Sequence, residues 1–195
     1  MPSHIKHTTR FSSALRIIGA SGQLKIGILE RVEEQVIPDL VEVSESLAEK
    51  FGPSAKLNPG TIERYFNYPH TYPFVAVFRD EIIGYIIGVP LEYFHEDLWA
   101  HYDENLGKKN TIYTYAFAFK KRFHKTGYAR VLKKIYFNWM RKRGVEYISG
   151  HVVKGVAENF TGEVKIIHTF RNWHGTGKEF EYYSRPLQLT SNGEA

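Results

Sequence analysis

The sequence predicts a single mixed α/β domain built on a largely antiparallel sheet of about seven strands flanked by helices. Three observations predict it. Residues 74–78 (FVAVF) and 82–89 (IIGYIIGV) are two apolar runs joined by the polar turn Arg79-Asp80-Glu81 and stopped by Pro90, a hairpin pattern. Tyr128, Val131, Leu132, Ile135, Tyr136, Trp139 and Met140 recur at helical spacing. That helix lies between strand-like runs at 111–119 and 145–153, so the two strands should be parallel, joined by a right-handed crossover.

The remaining elements follow in chain order. Residues 24–29 (LKIGIL) alternate as a first strand, and Pro38 opens a helix to Phe51 with Leu40, Val41, Val43, Leu47 and Ala48 near helical spacing. Asn58-Pro59 reads as an N-cap and first-turn proline of a short helix ending before Pro69. After the hairpin, 92–109 is an acidic and aromatic connection, and the strand 111–119 (TIYTYAFAF) is expected to line one face with Tyr113, Tyr115, Phe117 and Phe119. Gly144 caps the long helix, and 145–153, 164–170 and 180–186 complete the strands. Segments 1–23 and 188–195 are polar with little periodicity and read as flexible ends around a domain at 24–187.

Composition excludes some chemistry. The 195 residues, 43% hydrophobic and 15% aromatic, suffice for one core. With no Cys there is no disulfide, thiolate nucleophile or thiolate metal site, and the nine His lack ligand spacing, so no metal is expected. No run resembles a signal segment or a membrane span, so the chain reads as cytoplasmic. The net charge of +5 is concentrated between Lys120 and Arg143, which suits either a compact site for one polyanionic ligand or a face for nucleic acid. The apolar stripe along 128–140 argues against a helix lying free in a groove.

The loop from Lys120 to Arg130 carries the functional argument. The first N–H groups of a helix lack internal partners and sit at the positive end of its dipole, so a phosphate binds there. Gly127 and Ala129 keep that backbone accessible, within a loop carrying Arg122, His124, Lys125 and Arg130. The run His124-Lys125-Thr126-Gly127-Tyr128-Ala129 resembles the signature Gln/Arg-x-x-Gly-x-Gly/Ala of the GNAT superfamily of N-acetyltransferases. Gly127 and Ala129 match it, whereas His124 replaces the usual first residue. The order of the other elements over about 24–187 is similar to that family's.

The resemblance implies a sheet that splays apart between the strand ending at Phe119 and the one beginning at Val145. Acetyl-CoA would lie in the opening, its pantetheine along Phe117, Ala118 and Phe119, its pyrophosphate on 124–130, with Asn159 a further contact. It implies direct transfer of the acetyl group to an amine acceptor, and dimers are frequent in such proteins. The Glu common on the strand before the loop is missing; Tyr113 and Tyr115 stand there, and both suit core packing as well. His151 is the candidate base, with a strand-end structural His as the alternative. The helix expected after Asn159 is cut short by Thr161-Gly162, which removes the usual Tyr acid and leaves water or a Tyr of the last strand, Tyr182 or Tyr183. Acidic and aromatic residues at 92–104, Glu96 and Trp99 among them, suit a cationic amine, and Trp173 lies in the loop 172–177 that joins the last strands over the acceptor. A CoA-binding protein without catalysis, or a nucleic-acid module, are the competing readings.

Overall fold

The computed structural model describes residues 14–187. Residues 1–13 and the tail 188–195 lie outside the described residues. The chain forms one sheet of eight strands, β1 (Leu15–Ser21), β2 (Leu24–Leu29), β3 (Tyr72–Phe78), β4 (Glu81–Pro90), β5 (Thr111–Phe119), β6 (Tyr147–Val153), β7 (Lys165–Phe170) and β8 (Phe180–Pro186). Their order is β1-β2-β3-β4-β5-β6-β8-β7, and every neighbouring pair is antiparallel except β5 and β6. Helices α1 (Ile37–Phe51) and α2 (Pro59–Ile62, continued by one π-helical turn Glu63–Asn67) cover one face, and α3 (Tyr128–Arg141) covers the other. Among the described residues no helix is long and apolar enough to cross a membrane.

Local chemistry explains the ends of these elements. Asn58 caps α2 in a reciprocal pair with Thr61: the Asn58 carboxamide oxygen accepts from the Thr61 N–H, and the Thr61 hydroxyl accepts from the Asn58 N–H. The β3–β4 hairpin turns on Arg79 and Asp80, both with positive φ (49° and 61°), as a tight two-residue loop requires. α1 buries Leu40, Val43 and Leu47 against the sheet, and α3 buries Leu132, Tyr136 and Met140. Each such side chain contributes about 2 kcal/mol relative to exposure.

Two expectations are corrected. Leu15–Ser21 is a strand rather than part of a loose end, and it brings the strands among the described residues to eight, in keeping with the expected sheet of about seven. A bulge at Ile18 interrupts its pairing with β2, and as an edge strand it is largely exposed, so its sequence carries no period of two. The aromatics of β5 do not share one face. Against β4, Gly88 pairs with Thr114 and Ile87 with Ala116, so Tyr115 is an extra residue. That bulge leaves Tyr113 and Tyr115 packed toward α1, while Phe119 joins the core under α3.

Lys120 ties the end of β5 to α1. The residue is 3% exposed, and its ammonium reaches Glu42 at 2.7 Å, Glu81 at 2.6 Å and Asp39 at 3.4 Å. Burial alone would lower its pKa, but hydrogen bonds to Glu42 and Glu81 outweigh that and hold it above the usual range. Arg122 adds ion pairs to Glu42 and Glu81. Three carboxylates from α1 and β4 thus converge on one ammonium, which occupies the place a cation would take. Removing it leaves them facing one another. Lys120→Met is expected to lower unfolding free energy by on the order of 3 kcal/mol in a denaturant titration.

Candidate active site

The parallel ladder between β5 and β6 covers Thr111 to Thr114 and Tyr147 to Gly150, and there it stops. Beyond it β5 stays on β4 as far as the pair Phe119–Gly84, and β6 stays on β8 through His151–Tyr182 and Val153–Phe180. The sheet therefore forks at Thr114 and Gly150. The edge of β5 from Tyr115 to Phe119 has no strand partner on that side, so alternate backbone groups there face the opening. The expected splay is present, and α3 stands on one side of it with α1 on the other.

On the α3 side the loop offers backbone donors. Gly127, the N-cap of α3, is left-handed (φ 85°), and Lys125 also has positive φ (65°). The N–H groups of Lys125, Thr126, Gly127 and Ala129 have no hydrogen-bond partner among the described residues. Successive free amides in such a turn, at the head of a 14-residue helix, form an anion-binding concavity. A Cβ at Gly127 would meet nothing within 4 Å, so the approach is open. The His124 ring is 3.1 Å from the Phe119 carbonyl and ties the loop to β5, while the Thr126 hydroxyl donates to the Phe123 carbonyl. Lys125 and Arg130 are exposed.

The basic run is not one face. Lys120 and Arg122 turn toward the carboxylates of α1 and β4, and Lys121 toward Glu49. Arg122, expected at the phosphate, is thus already engaged. Lys133 lies over the rings of Phe137 and Phe160, which brings the segment after β6 against α3. In that segment Asn159 ends a single 3-10 turn (Ala157–Asn159), exposed, its amide 3.5 Å from the Gly155 carbonyl. The helix expected to be short is reduced to this turn.

On the α1 side the expected acceptor residues gather around His151. The Tyr113 hydroxyl is 2.9 Å from His151 Nδ1. The imidazole stacks on Trp173 (centroids 3.8 Å apart, 17° between planes) and on Tyr182 (4.9 Å, 26°), with Trp99 edge-on at 4.9 Å. Tyr182 is held from behind by Asp103, whose carboxylate accepts its hydroxyl at 2.6 Å. His151 Nε2 is buried without a partner. Burial, with His174 nearby, pushes the imidazole down to about 3, so it is neutral. Tyr115 stands beside this group, stacked on Tyr65 at 3.7 Å.

Two candidates fall elsewhere. Glu96 is on an exposed turn next to His95 and does not join the aromatic group. Tyr183 lies on the opposite face of the sheet from His151, against Phe160. Tyr65 and Phe170, which the sequence did not single out, also line the aromatic group, as does Tyr182, paired in register with His151.

The depressed imidazole has a pH consequence. An unfolded His titrates near about 6.5, so as pH falls below that value the unfolded chain takes up a proton that the folded chain refuses until about 3. The stability linked to His151 is complete above about pH 6.5 and declines below it. His151→Gln removes this decline. In paired urea titrations the variant is expected to gain on the wild type by up to about 1.4 kcal/mol per pH unit between about pH 6 and 4.

Comparison with known proteins agrees with this geometry. The sequence matches no curated protein, but the model of the Acetyltransferase (GNAT) family matches residues 40–159. Among solved structures, the ribosomal-protein-S18-alanine N-acetyltransferase from Escherichia coli superposes with a TM-score of 0.61 at 13% identity, covering 88% of this chain and 99% of its own. Ard1 from Thermoplasma volcanium gives 0.61 at 13%, covering 86% and 99%. An aminoglycoside 6'-N-acetyltransferase complexed with coenzyme A gives 0.59 at 13%, covering 86% and 99%. Identities this low speak for the fold; the family match spans well over half of the sequence. A forked mixed sheet with a free-amide turn at the head of its crossover helix, and a family match across both, make this chain a member of the GNAT acetyltransferase family.

Proposed function

We propose that the chain transfers the acetyl group of acetyl-CoA directly to a primary amine, the donor entering the fork from the α3 side and the acceptor from the α1 side. The observation that carries this is the juxtaposition of the unpaired β5 edge with the free amides of Lys125, Thr126, Gly127 and Ala129. A pyrophosphate suits the amides, with Lys125 and Arg130 adding charge. An extended arm suits the open β5 edge at Phe117, Ala118 and Phe119, which would bond it as a strand bonds its neighbour. A chain lying along that edge ends at Thr114 and Gly150, where the strands rejoin. The thioester then faces the aromatic group of His151 through the fork.

The acceptor side supplies an aromatic enclosure with a neutral imidazole at its centre. Trp99, Trp173 and Tyr113 bind an amine by apolar contact and cation–π attraction. Trp173 covers His151, so an amine that reaches Nε2 takes the place of the indole. A polar group and its water at Nε2 relieve the burial that depresses the imidazole, and His151 then accepts the proton of the ammonium. Tyr113 orients the ring through Nδ1. An N–H on the open edge of β5 stabilises the tetrahedral oxyanion. Whether the amine belongs to a small molecule or to a protein depends on what displaces Trp173.

Incubation with acetyl-CoA and a library of primary amines, read by release of free thiol, tests the reading. Thiol release with at least one amine is expected, and His151→Gln should lower kcat roughly 100-fold or more with little change in acetyl-CoA affinity. Failure of the wild type to bind acetyl-CoA would remove the proposal. Gly127→Val both strains a left-handed position, by about 1–2 kcal/mol, and puts a side chain over the amides. It is expected to weaken acetyl-CoA binding at least about tenfold by calorimetry, with the same fold by circular dichroism.

A further inference from the structure

Arg185 follows Tyr183 by two residues along β8, so both stand on the α3 side of the sheet, where Lys133 reaches across from α3. The two cations rest on one ring: the Arg185 guanidinium carbon lies 5.0 Å and the Lys133 ammonium 5.6 Å from the centroid of Phe137. Lys133 is also 4.8 Å over Phe160, and Arg185 Nη2 donates to the Thr161 carbonyl at 2.9 Å, so the segment after β6 closes the group from the other side. Lys133 and Arg185 are half-buried, and the bond to Thr161 lies at the surface, so the group is open to solvent.

What the group lacks is negative charge. Among the described residues no carboxylate forms an ion pair with Lys133 or Arg185. Residues 105–145 hold no Asp or Glu, and Glu158 and Glu163 on the neighbouring segment are exposed and pair with neither cation. Arg185 Nε is buried without a hydrogen-bond partner. Burial pushes the Lys133 ammonium below its usual range, and the charge of Arg185 pushes it further the same way. Burial lowers the guanidinium as well. Packing does not call for this: a methionine side chain at either place would cover the same rings without the repulsion, and cation–π contact offsets only part of it.

We propose that Lys133 and Arg185 form a second anion site, separate from the free amides before α3, whose ligand is a phosphate monoester. Near neutral pH such a group carries close to two negative charges on three terminal oxygens, which matches one ammonium and one guanidinium, whereas a carboxylate neutralises only one of them. Bound there, it bridges α3 and β8 and removes the repulsion that otherwise loosens the segment clipped on by Phe160 and Thr161. Lys133 is one turn beyond Ala129 on the same face of α3, about 6 Å further along the axis. CoA carries a phosphate monoester on its ribose, close to its pyrophosphate, and for that source the site rests on the acetyl-CoA reading above. A separate phosphorylated ligand or free phosphate offers the same group without it.

Calorimetry with CoA and with dephospho-CoA, which lacks only the ribose phosphate, tests the site, alongside melting temperatures in millimolar inorganic phosphate. The wild type is expected to bind CoA at least about tenfold more tightly than dephospho-CoA. Lys133→Met and Arg185→Met should each bring that ratio to within about twofold, with dephospho-CoA bound as by the wild type, which shows that the variants fold; Lys133→Arg, which keeps the charge, retains the ratio. If the wild type binds the two forms equally, a rise of its melting temperature in inorganic phosphate that both neutral variants lose assigns the site to a separate phosphate ligand. A preference for CoA that either neutral variant leaves unchanged overturns the site, as does equal binding with a phosphate effect that is absent or survives in the variants. Absence of binding of either CoA form to the wild type removes the acetyl-CoA reading, and the phosphate arm then decides the site alone.

Discussion

Four residue pairs, Thr111 to Thr114 with Tyr147 to Gly150, join the five strands from β1 to β5 to the three from β6 to β8. The candidate site is arranged around the point where that short parallel ladder ends. A sheet interior normally satisfies its backbone on both edges, and here β5 gives up half of that beyond Thr114. The cost is tolerable because the unpaired edge faces an opening rather than a core. The ladder itself exists because α3 carries the chain from the end of β5 back to the start of β6, and the turn that begins α3 lies at the mouth of the fork. One connection thus makes both the opening and the anion site beside it.

Lys120 is the counterpart of this arrangement on the other face. A strand that lacks a neighbour on one side needs holding by other means, and the last residue beyond β5 is clamped to α1 and β4 by three carboxylates. Its backbone N–H also reaches the Ile83 carbonyl, 2.8 Å away. The loop from Lys121 to Gly127 starts from this fixed point, so its amides are positioned by an ion-pair cluster.

Much of this was legible in the sequence, and the part that was not has one cause. The hairpin, α1, α3 and the loop at Gly127 are local: periodicity, a proline, a glycine and a cap suffice to place them. The fork was expected from the resemblance, and Tyr113, Trp99, Trp173 and His151 do come together. What escaped depends on register. A single extra residue at Tyr115 moves Phe119 to the face opposite Tyr113, and the bulge at Ile18 conceals β1. Tyr183 and His151 end on opposite faces because β8 and β6 alternate, which no spacing along the chain reveals. Arg122 reads as a phosphate ligand because its carboxylate partners lie on α1 and β4, far away in sequence.

The alternation at the fork has an evolutionary consequence. Along β8, Tyr182 faces the α1 side of the sheet and Tyr183 the α3 side; along β6, His151 and Gly150 divide in the same way; along β5, Tyr113 and Thr114 do. Adjacent codons therefore answer to different sides of the sheet. Under the proposed function, point substitutions at one parity retune which amine is accepted while the other parity, and with it the donor chemistry, is inherited unchanged. Single-residue insertions or deletions in these strands have no such freedom, since they would exchange the two sets of walls at a stroke.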